Sequence, residues 1–289
     1  MISIIIVNYN GNEQTKNCLS SLFAHPPTED FEVILVDNCS IDGSVQDIQK
    51  EFPSIKIIQM ENNYGFGKAN NAGVLASTGE YLFFVNNDTV LRNDIVTPLM
   101  RYLKNNTLIG AVAPMLLNAD GTYQHSYGYF PSLINELRTK KDTAVNKELP
   151  NERLPKKVDW VSFAAVMIPR IAFERIGGFD ERYFMYFEDA DVCLRLKKAG
   201  FDSFYCAESS LIHIGGKSWS SSNTNKLKKE YRRSQLLFYL SHRTWYSFIA
   251  LRFYLLMQYG LLFLLGKGET RKQARSILSI VIIPYANRS

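Results

Sequence analysis

The 289-residue chain has four cysteines, Cys18, Cys39, Cys193 and Cys206, scattered with no C-x-x-C pair. That spacing argues against a zinc module and against a disulfide framework, and it fits a reducing compartment. Long apolar runs are also scarce. The opening "ISIIIV" lacks the basic flank and small-residue cleavage site of a secretory signal, so it is read as a first strand. The cleanest later run, Phe253 to Gly266, would rise only about 21 Å as a helix, short of a ~30 Å hydrocarbon core, which argues against a spanning segment. There is no internal repeat and no low-complexity tract. A complete G-x-G-x-x-G is missing too: "GFGKANNAG" carries Asn70 at the third glycine position, so the dinucleotide fingerprint fails. Charge of one sign is not in large excess, at a net +5.

What is present is enough apolar sequence, 46% hydrophobic against 21% charged, to bury a sizeable core. Strand-like runs at 2–7, 31–38, 55–60 and 80–88 alternate with helix-compatible stretches in "NEQTKNCLSSLF", "SVQDIQKEF" and "GKANNAGVLAS". This β-α-β-α-β-α-β order predicts an α/β sheet, parallel in its first half, whose ligands sit beyond the carboxyl ends of its strands. Residues 138–157 are polar and aperiodic and are expected to form a surface loop. "VDWVSFAAVMIP" reads as one strand, Asp189 to Ala199 as a helix stopped by Gly200, and "SFYCAESSLIHIGG" as a final strand. The character changes near residue 225, giving a catalytic domain over 1–225 and an appendage over 226–289. Lys and Arg crowd that end and flank aromatic-rich amphipathic segments, the pattern of helices lying at a membrane surface; helices packed on the domain or on a second subunit, as in a homodimer, are the other arrangement. The basic residues form no aromatic-interleaved surface, so nucleic acid is not expected.

The polar residues at the strand ends carry the chemistry. Asp37 can accept a hydrogen bond from a pyrimidine ring N–H, or start an Asx turn. Lys68 and Asn71 stand near a helix start suited to pyrophosphate or nucleoside, or belong to a glycine-rich turn. Asn86-Asn87-Asp88 offers one carboxylate, enough for Mg²⁺ or Mn²⁺ when substrate phosphates complete the shell, or forms a plain turn. Glu188, Asp189 and Asp191 cluster at a helix start among aromatics that raise a carboxyl toward general-base duty, while Asp191 and Arg195 are also an ordinary i,i+4 pair. His213 ends the last strand as a metal-ligand candidate or a structural histidine.

Taken in order, "VNYN", "VDNCSIDGS", "NNYGFGKANNAG", "NNDT", "GGFDERYFMYFEDADVCLR" and "HIGGKS" resemble the motif series of family 2 glycosyltransferases, nearest the bacterial rhamnosyltransferase-like enzymes of cell-surface polysaccharide assembly. The resemblance covers residues 2 to about 218. It implies a GT-A fold, a Rossmann-like mixed sheet with a nucleotide-binding half (1–115) and an acceptor-binding half (116–225). It also implies an inverting, metal-dependent sugar transfer from a UDP- or dTDP-sugar to a glycan or lipid-linked acceptor, on the cytoplasmic face of the cell membrane. By motif position Asp37 contacts the base; Asn10, Lys68, Asn71 and Asn87 line the nucleotide pocket; Asp88 and His213 bind the metal. Asp189 is the catalytic base, Glu188 and Asp191 support it or bind acceptor, and Trp160 offers a face for sugar stacking. Asn86 replaces the first acid of the family's D-x-D, and Phe163 stands where relatives carry glycine in "WVSGA". The competing readings are a weakened nucleotide-sugar-binding module, favoured by Asn86, and a sugar-phosphate nucleotidyltransferase, whose G-x-G-T-R loop the chain lacks.

Overall fold

The computed structural model describes residues 1–135, 155–215 and 224–282. In chain order the first half holds β1 (Ile2–Asn8), α1 (Asn12–Ala24), β2 (Phe31–Asp37), α2 (Ser44–Glu51), β3 (Lys56–Gln59), α3 (Phe66–Leu75), β4 (Tyr81–Asn86), β5 (Thr89–Leu91), α4 (Val96–Lys104) and β6 (Ile109–Leu117). There follow β7 (Tyr123–Gln124), β8 (Tyr127–Gly128), β9 (Lys156–Val158), β10 (Trp160–Val161), β11 (Ala165–Pro169), α5 (Arg170–Arg175), α6 (Glu188–Lys198) and β12 (Asp202–His213). Three helices close the chain: α7 (Thr224–His242), α8 (Trp245–Leu265) and α9 (Gly268–Ile282).

Alternation along the first strands decides the layering. In β1, Ile2, Ile4 and Ile6 face one side and Ile5 the other; Val33 and Leu35 oppose Ile34 and Val36 in β2, and Phe83 and Val85 oppose Leu82 and Phe84 in β4. Strands that are apolar on both faces need cover on both. On one side α1, α2 and α4 supply Leu19, Leu22, Ile48, Leu99 and Met100; on the other α3, α5 and α6 supply Ala69, Val74, Phe173, Val192 and Leu196. Gly73 lets α3 settle on the sheet, because a Cβ there would stand 2.6 Å from Ile5 Cγ2 and 3.1 Å from Val36 Cγ2. Phe163 fills the second core: its ring stacks on Phe84 at 6.4 Å and meets Phe179 edge-on at 5.6 Å. Burying such a ring stabilises the fold by roughly 1.5–3 kcal/mol.

The sheet is mixed, with order β3-β2-β1-β4-β11-β6-β12-β5, and β7 and β9 pair off this path. Strands β1 to β4 are parallel, β11 runs antiparallel between β4 and β6, β12 is parallel to β6, and β5 is antiparallel to β12. Register aligns Asn8 with Asp37, Val7 with Asn86, and His213 with Thr89. The polar ends of β1, β2, β4 and β12 therefore gather on one edge. The helix expected over 189–199 is α6, and Gly200 beyond it has φ +91°, the left-handed stop that glycine supplies.

Three expectations need correction. The stretch 158–169 is not one strand: β9 pairs with β12, β10 with β8, and β11 with both β4 and β6, so one apolar run is divided among three strands with different partners. Of the loop expected over 138–157, Lys156 and Lys157 belong to β9, and 138–154 lie outside the described residues, as do Gly216, Lys217 and Ser218 of "HIGGKS". The third concerns α8. It begins at Trp245, upstream of the run judged too short, and its 21 residues rise about 31 Å. Among the described residues it is one helix long and apolar enough to cross a membrane, by length and composition alone.

The chain divides into two units, Met1–Asp180 with Asp189–Ser218, and Glu181–Glu188 with Trp219–Ser289. Within the second, α9 folds back along α8: Arg252 donates through Nε (3.1 Å) and Nη2 (2.7 Å) to the Val281 carbonyl, and Leu251 and Leu255 are buried, as are Ala274 and Ile277. In the same unit α7 holds the short segment, with Ser234 Oγ donating to the Met185 carbonyl at 2.7 Å and Phe187 meeting the rings of Tyr231 and Phe238.

Candidate active site

The ends of β1 and β2 are joined by one buried amide. Asn8 Nδ2 lies within donating distance of Asp37 Oδ1 (2.9 Å), Ser44 Oγ (2.8 Å) and Ser40 Oγ (3.1 Å), and Asn8 Oδ1 accepts from Thr15 Oγ1 at 2.9 Å. Asp37 Oδ2 accepts the Ser40 backbone N–H, three residues on, at 2.9 Å, so the carboxylate is held in place with lone pairs left over. Asn10, at φ +50°, accepts the Ile41 N–H on Oδ1 at 2.8 Å and fixes the same loop. Asn38 ties this loop to the next: its Nδ2 donates to Asn63 Oδ1 at 3.0 Å and its Oδ1 accepts the Tyr64 N–H at 3.0 Å. Lys68 Nζ stands 4.5 Å from the Tyr64 ring centroid, a cation–π contact beside that wall.

Two candidates turn inward. Asn71 exchanges hydrogen bonds with the Phe179 backbone, both at 3.0 Å, and Asn87 donates through Nδ2 to Asn8 Oδ1 (3.2 Å) and Thr15 Oγ1 (3.0 Å). Both amides knit loops together. Asp191 takes the i,i+4 arrangement that was the alternative to a role beside the base. It is 1% exposed and pairs through Oδ2 with Arg195 Nε at 2.8 Å, while Arg195 Nη1 donates to the carbonyls of Ile176 (2.7 Å) and Gly178 (2.6 Å). Asp191 thus anchors an arginine that clamps the Gly177–Gly178 turn, whose φ values are +78° and +75°.

The turn that ends β4 holds the densest chemistry. Asp88, 7% exposed, lies with Oδ1 3.2 Å from His213 Nε2, and Asn86 Nδ2 is 3.4 Å from the same nitrogen. The Ile214 N–H donates to the Asp88 carbonyl at 2.9 Å, and His213 Nδ1 contacts Gln124 Oε1 at 2.6 Å. Carboxylate and imidazole are the donor types that suit Mn²⁺ and its neighbours. Adjacent ligands of an octahedral ion with ~2.1 Å bonds sit about 3 Å apart, so the 3.2 Å pair fits one edge of such a shell. Among the described residues there is no group of three or more His, Cys, Asp or Glu placed for a metal. The pair therefore suits an ion that takes its remaining ligands from substrate and water.

Asp189 opens the first turn of α6, with Oδ1 accepting the Ala190 N–H at 2.7 Å. Burial pushes its carboxyl from 3.8 up to about 6 against that hydrogen bond, although some of its surface remains exposed. Glu188 is the residue before it, at the first position of α6. Tyr186 and Phe187, just upstream, take φ +70° and +67°, a costly backbone for two consecutive non-glycine residues. Trp160, partly exposed, donates Nε1–H to the Tyr129 carbonyl at 3.0 Å, and its indole lies against Gly128. Sequence reasoning passed over Asn8, Asn38, Gln124 and this left-handed pair. Only Asn8 carried a signal, as the last residue of a strand in a parallel sheet.

The sequence matches the model of glycosyl transferase family 2 over residues 3–177. It is 27% identical over 270 residues to N-acetylglucosaminyl-diphospho-decaprenol L-rhamnosyltransferase of Mycobacterium tuberculosis, covering 85% of this chain and 86% of that one. It is 26% identical over 221 residues to dTDP-rhamnosyl transferase RfbF of Shigella flexneri, covering 75% and 70%. The fold is shared with GalNAc-T7, solved with UDP, GalNAc and Mn²⁺, at a TM-score of 0.60 and 16% identity over 84% of this chain and 51% of that one. The family match runs from β1 to the Gly177 turn, through the polar strand ends and the Asn86–Asp88 turn; with the mixed sheet behind them, this chain belongs to glycosyl transferase family 2 and has the GT-A fold.

Proposed function

We propose that this glycosyltransferase moves a sugar, with inversion, from a UDP- or dTDP-sugar to a glycan or lipid-linked acceptor during cell-surface polysaccharide assembly, with Mg²⁺ or Mn²⁺ on the donor diphosphate. The observation that carries the reading is the Asp88–His213 pair at 3.2 Å on the carboxyl edge of the sheet. The names of the relatives, a dTDP-rhamnosyl transferase and an L-rhamnosyltransferase acting on a diphospho-decaprenol, support the donor and acceptor classes. Asp37, oriented by Asn8 and Ser40, accepts the N3–H of the pyrimidine, with Asn10 in the neighbouring loop and Lys68 in the first turn of α3. Asp88 and His213 hold the cation, which when bound offsets the charge that builds on the departing diphosphate. Asp189 takes the proton of the acceptor hydroxyl as that oxygen attacks the anomeric carbon from the face opposite the diphosphate. The bond to the diphosphate breaks in the same displacement, and the configuration inverts. A carboxyl near 6 is well matched to that proton transfer at neutral pH. Glu188 and Trp160 are assigned to the acceptor by their motif positions.

Incubating the protein with a panel of UDP- and dTDP-sugars and glycan acceptors, with Mn²⁺ or a chelator, tests this. Release of nucleoside diphosphate that stops with chelator, and a product of inverted configuration, are expected. Donor binding with no turnover across the panel would instead identify a binding module.

The partner proposed for the last helices is an anionic membrane surface, on the cytoplasmic side where nucleotide sugars are made available. In α8, Phe253 is 64% and Leu265 75% exposed, and Ile249, Met257 and Leu261 are exposed on the same stripe. The fold-back places Arg271, Lys272 and Arg275 of α9 near the second half of α8. A spanning α8 would carry those charges toward hydrocarbon at roughly 2.5–3.5 kcal/mol each, so lying in the interface is the cheaper placement. The protein should pellet with phosphatidylglycerol vesicles, less in high salt, and Phe253→Glu should weaken this. A soluble dimer that ignores vesicles would show that a second copy covers the stripe.

A further inference from the structure

The hydrogen bonds around His213 fix which ring nitrogen carries its proton. Asn118 Nδ2 donates to the Tyr123 backbone carbonyl at 3.3 Å and to Thr122 Oγ1 at 2.9 Å. A carbonyl only accepts, so the orientation of the Asn118 amide is set, and its Oδ1 faces Gln124 Nε2 at 3.0 Å. Gln124 Nε2 also donates to the His213 carbonyl at 3.3 Å, which sets the second amide in turn. The atom left to meet His213 Nδ1, at 2.6 Å, is therefore Gln124 Oε1, again an acceptor. Nδ1 must supply the proton. In the neutral imidazole Nε2 is then a bare lone pair, 3.2 Å from Asp88 Oδ1 and 3.4 Å from the Asn86 amide nitrogen.

In the neutral ring these two acceptors, facing each other at 3.2 Å, repel unless a cation or a second ring proton lies between them, whereas the opposite tautomer would close the gap with an Nε2–H donated to Asp88. We propose that Gln124, itself fixed by Asn118, is a positioning residue that holds His213 as the Nδ1–H tautomer and so keeps Nε2 open as a divalent-cation ligand before the cation arrives. The proposal rests on the reading of Asp88 and His213 as the cation's ligands. Asn86, where the family's motif has an acid, gains a role here: its amide can donate to the Nε2 lone pair when no cation is bound. Metal-bound histidines are held this way by an acceptor on the far nitrogen, and losing that acceptor typically costs 10–100-fold in affinity. A nitrogen ligand also tilts the site toward Mn²⁺ over Mg²⁺ and Ca²⁺.

Two measurements test the proposal. In the metal-free full-length protein, ¹⁵N NMR of the neutral His213 ring should show the proton on Nδ1, and Gln124→Leu should shift the population toward Nε2–H. Mn²⁺ titration followed by electron paramagnetic resonance should show 10–100-fold weaker binding in Gln124→Leu and near wild-type binding in Gln124→Glu, which keeps an acceptor. An Nε2–H ring in the wild-type protein, or Gln124→Leu binding Mn²⁺ as tightly as wild type, overturns the proposal. Wild-type protein that shows the Nδ1–H ring yet binds no Mn²⁺ overturns the assignment of the ligands, and with it the role given to Gln124. The two failures are thus distinguishable.

Discussion

Asp189→Asn should lower turnover by roughly 10²–10⁴-fold and, at neutral pH, raise the stability of the fold. The first effect follows from removing the group that takes the acceptor's proton. Asparagine keeps the size of the side chain and its acceptor oxygen for the Ala190 N–H, so donor binding should survive. The second follows from the same burial that makes the carboxyl a base. Its folded value is about 6 against an ordinary 3.8. Between those values the folded state binds more protons than the unfolded state, so stability falls as pH rises through that window and levels off above about 6. A gap of about two units, discounted for partial exposure, is on the order of 2 kcal/mol, which the neutral amide does not lose. Thermal melts of the two proteins should differ little near pH 4 and separate, with the variant higher, by pH 7. Wild-type kcat should climb with pH through about 6 as the carboxyl ionises. A variant that keeps its activity, or that melts below wild type at pH 7 with activity lost, would show that Asp189 is a structural acid.

The second large effect belongs to Asp88→Ala. Its carboxylate is the acidic half of the 3.2 Å pair, and the described residues offer no third acid or histidine to replace it. Turnover should fall by at least roughly 10²-fold, comparable to removing a main electrostatic stabiliser of the leaving group. Excess Mn²⁺ should restore little of it, because His213 would remain as a lone protein ligand. A mere rise in KM for the sugar donor, cured by more cation, would mean that Asp88 only tunes affinity.

The sheet's parallel half was legible because each of its strands is a local apolar run followed by a turn and a helix. What was hidden is non-local. β6 lies in the middle of the sheet, yet it carries Pro114, which reads as a break; the strand tolerates it where the register of β12 slips between Cys206 and Ser210. The run 158–169 looks continuous, and only the different partners of its three strands divide it. In α8, Arg252 reads as an interruption of an apolar segment, but in the fold it caps carbonyls at the end of α9.

The candidate site divides in a similar way. Asp37, Asp88, Asp189 and His213 could be picked out because they fall, in order, within the motif series that resembles family 2 glycosyltransferases; acids at strand ends and helix starts are by themselves ordinary. Asn71 and Asp191 had the same look, yet Asn71 holds the Phe179 backbone and Asp191 holds Arg195. Gln124 and Asn8 are amides, whose meaning lies in which atom faces which neighbour, and no spacing in the sequence records that.

In the proposed reaction Asp88 and His213 bring a divalent cation to the diphosphate of a nucleotide sugar. Calorimetric titration of UDP and dTDP into the wild-type protein and Asp88→Ala, with Mn²⁺ and with chelator, tests it most directly. Mn²⁺ should tighten nucleotide binding at least tenfold, about 1.4 kcal/mol, in the wild type and leave Asp88→Ala unchanged. Equal affinity with and without Mn²⁺ in the wild type, or a tightening that survives in Asp88→Ala, would contradict it.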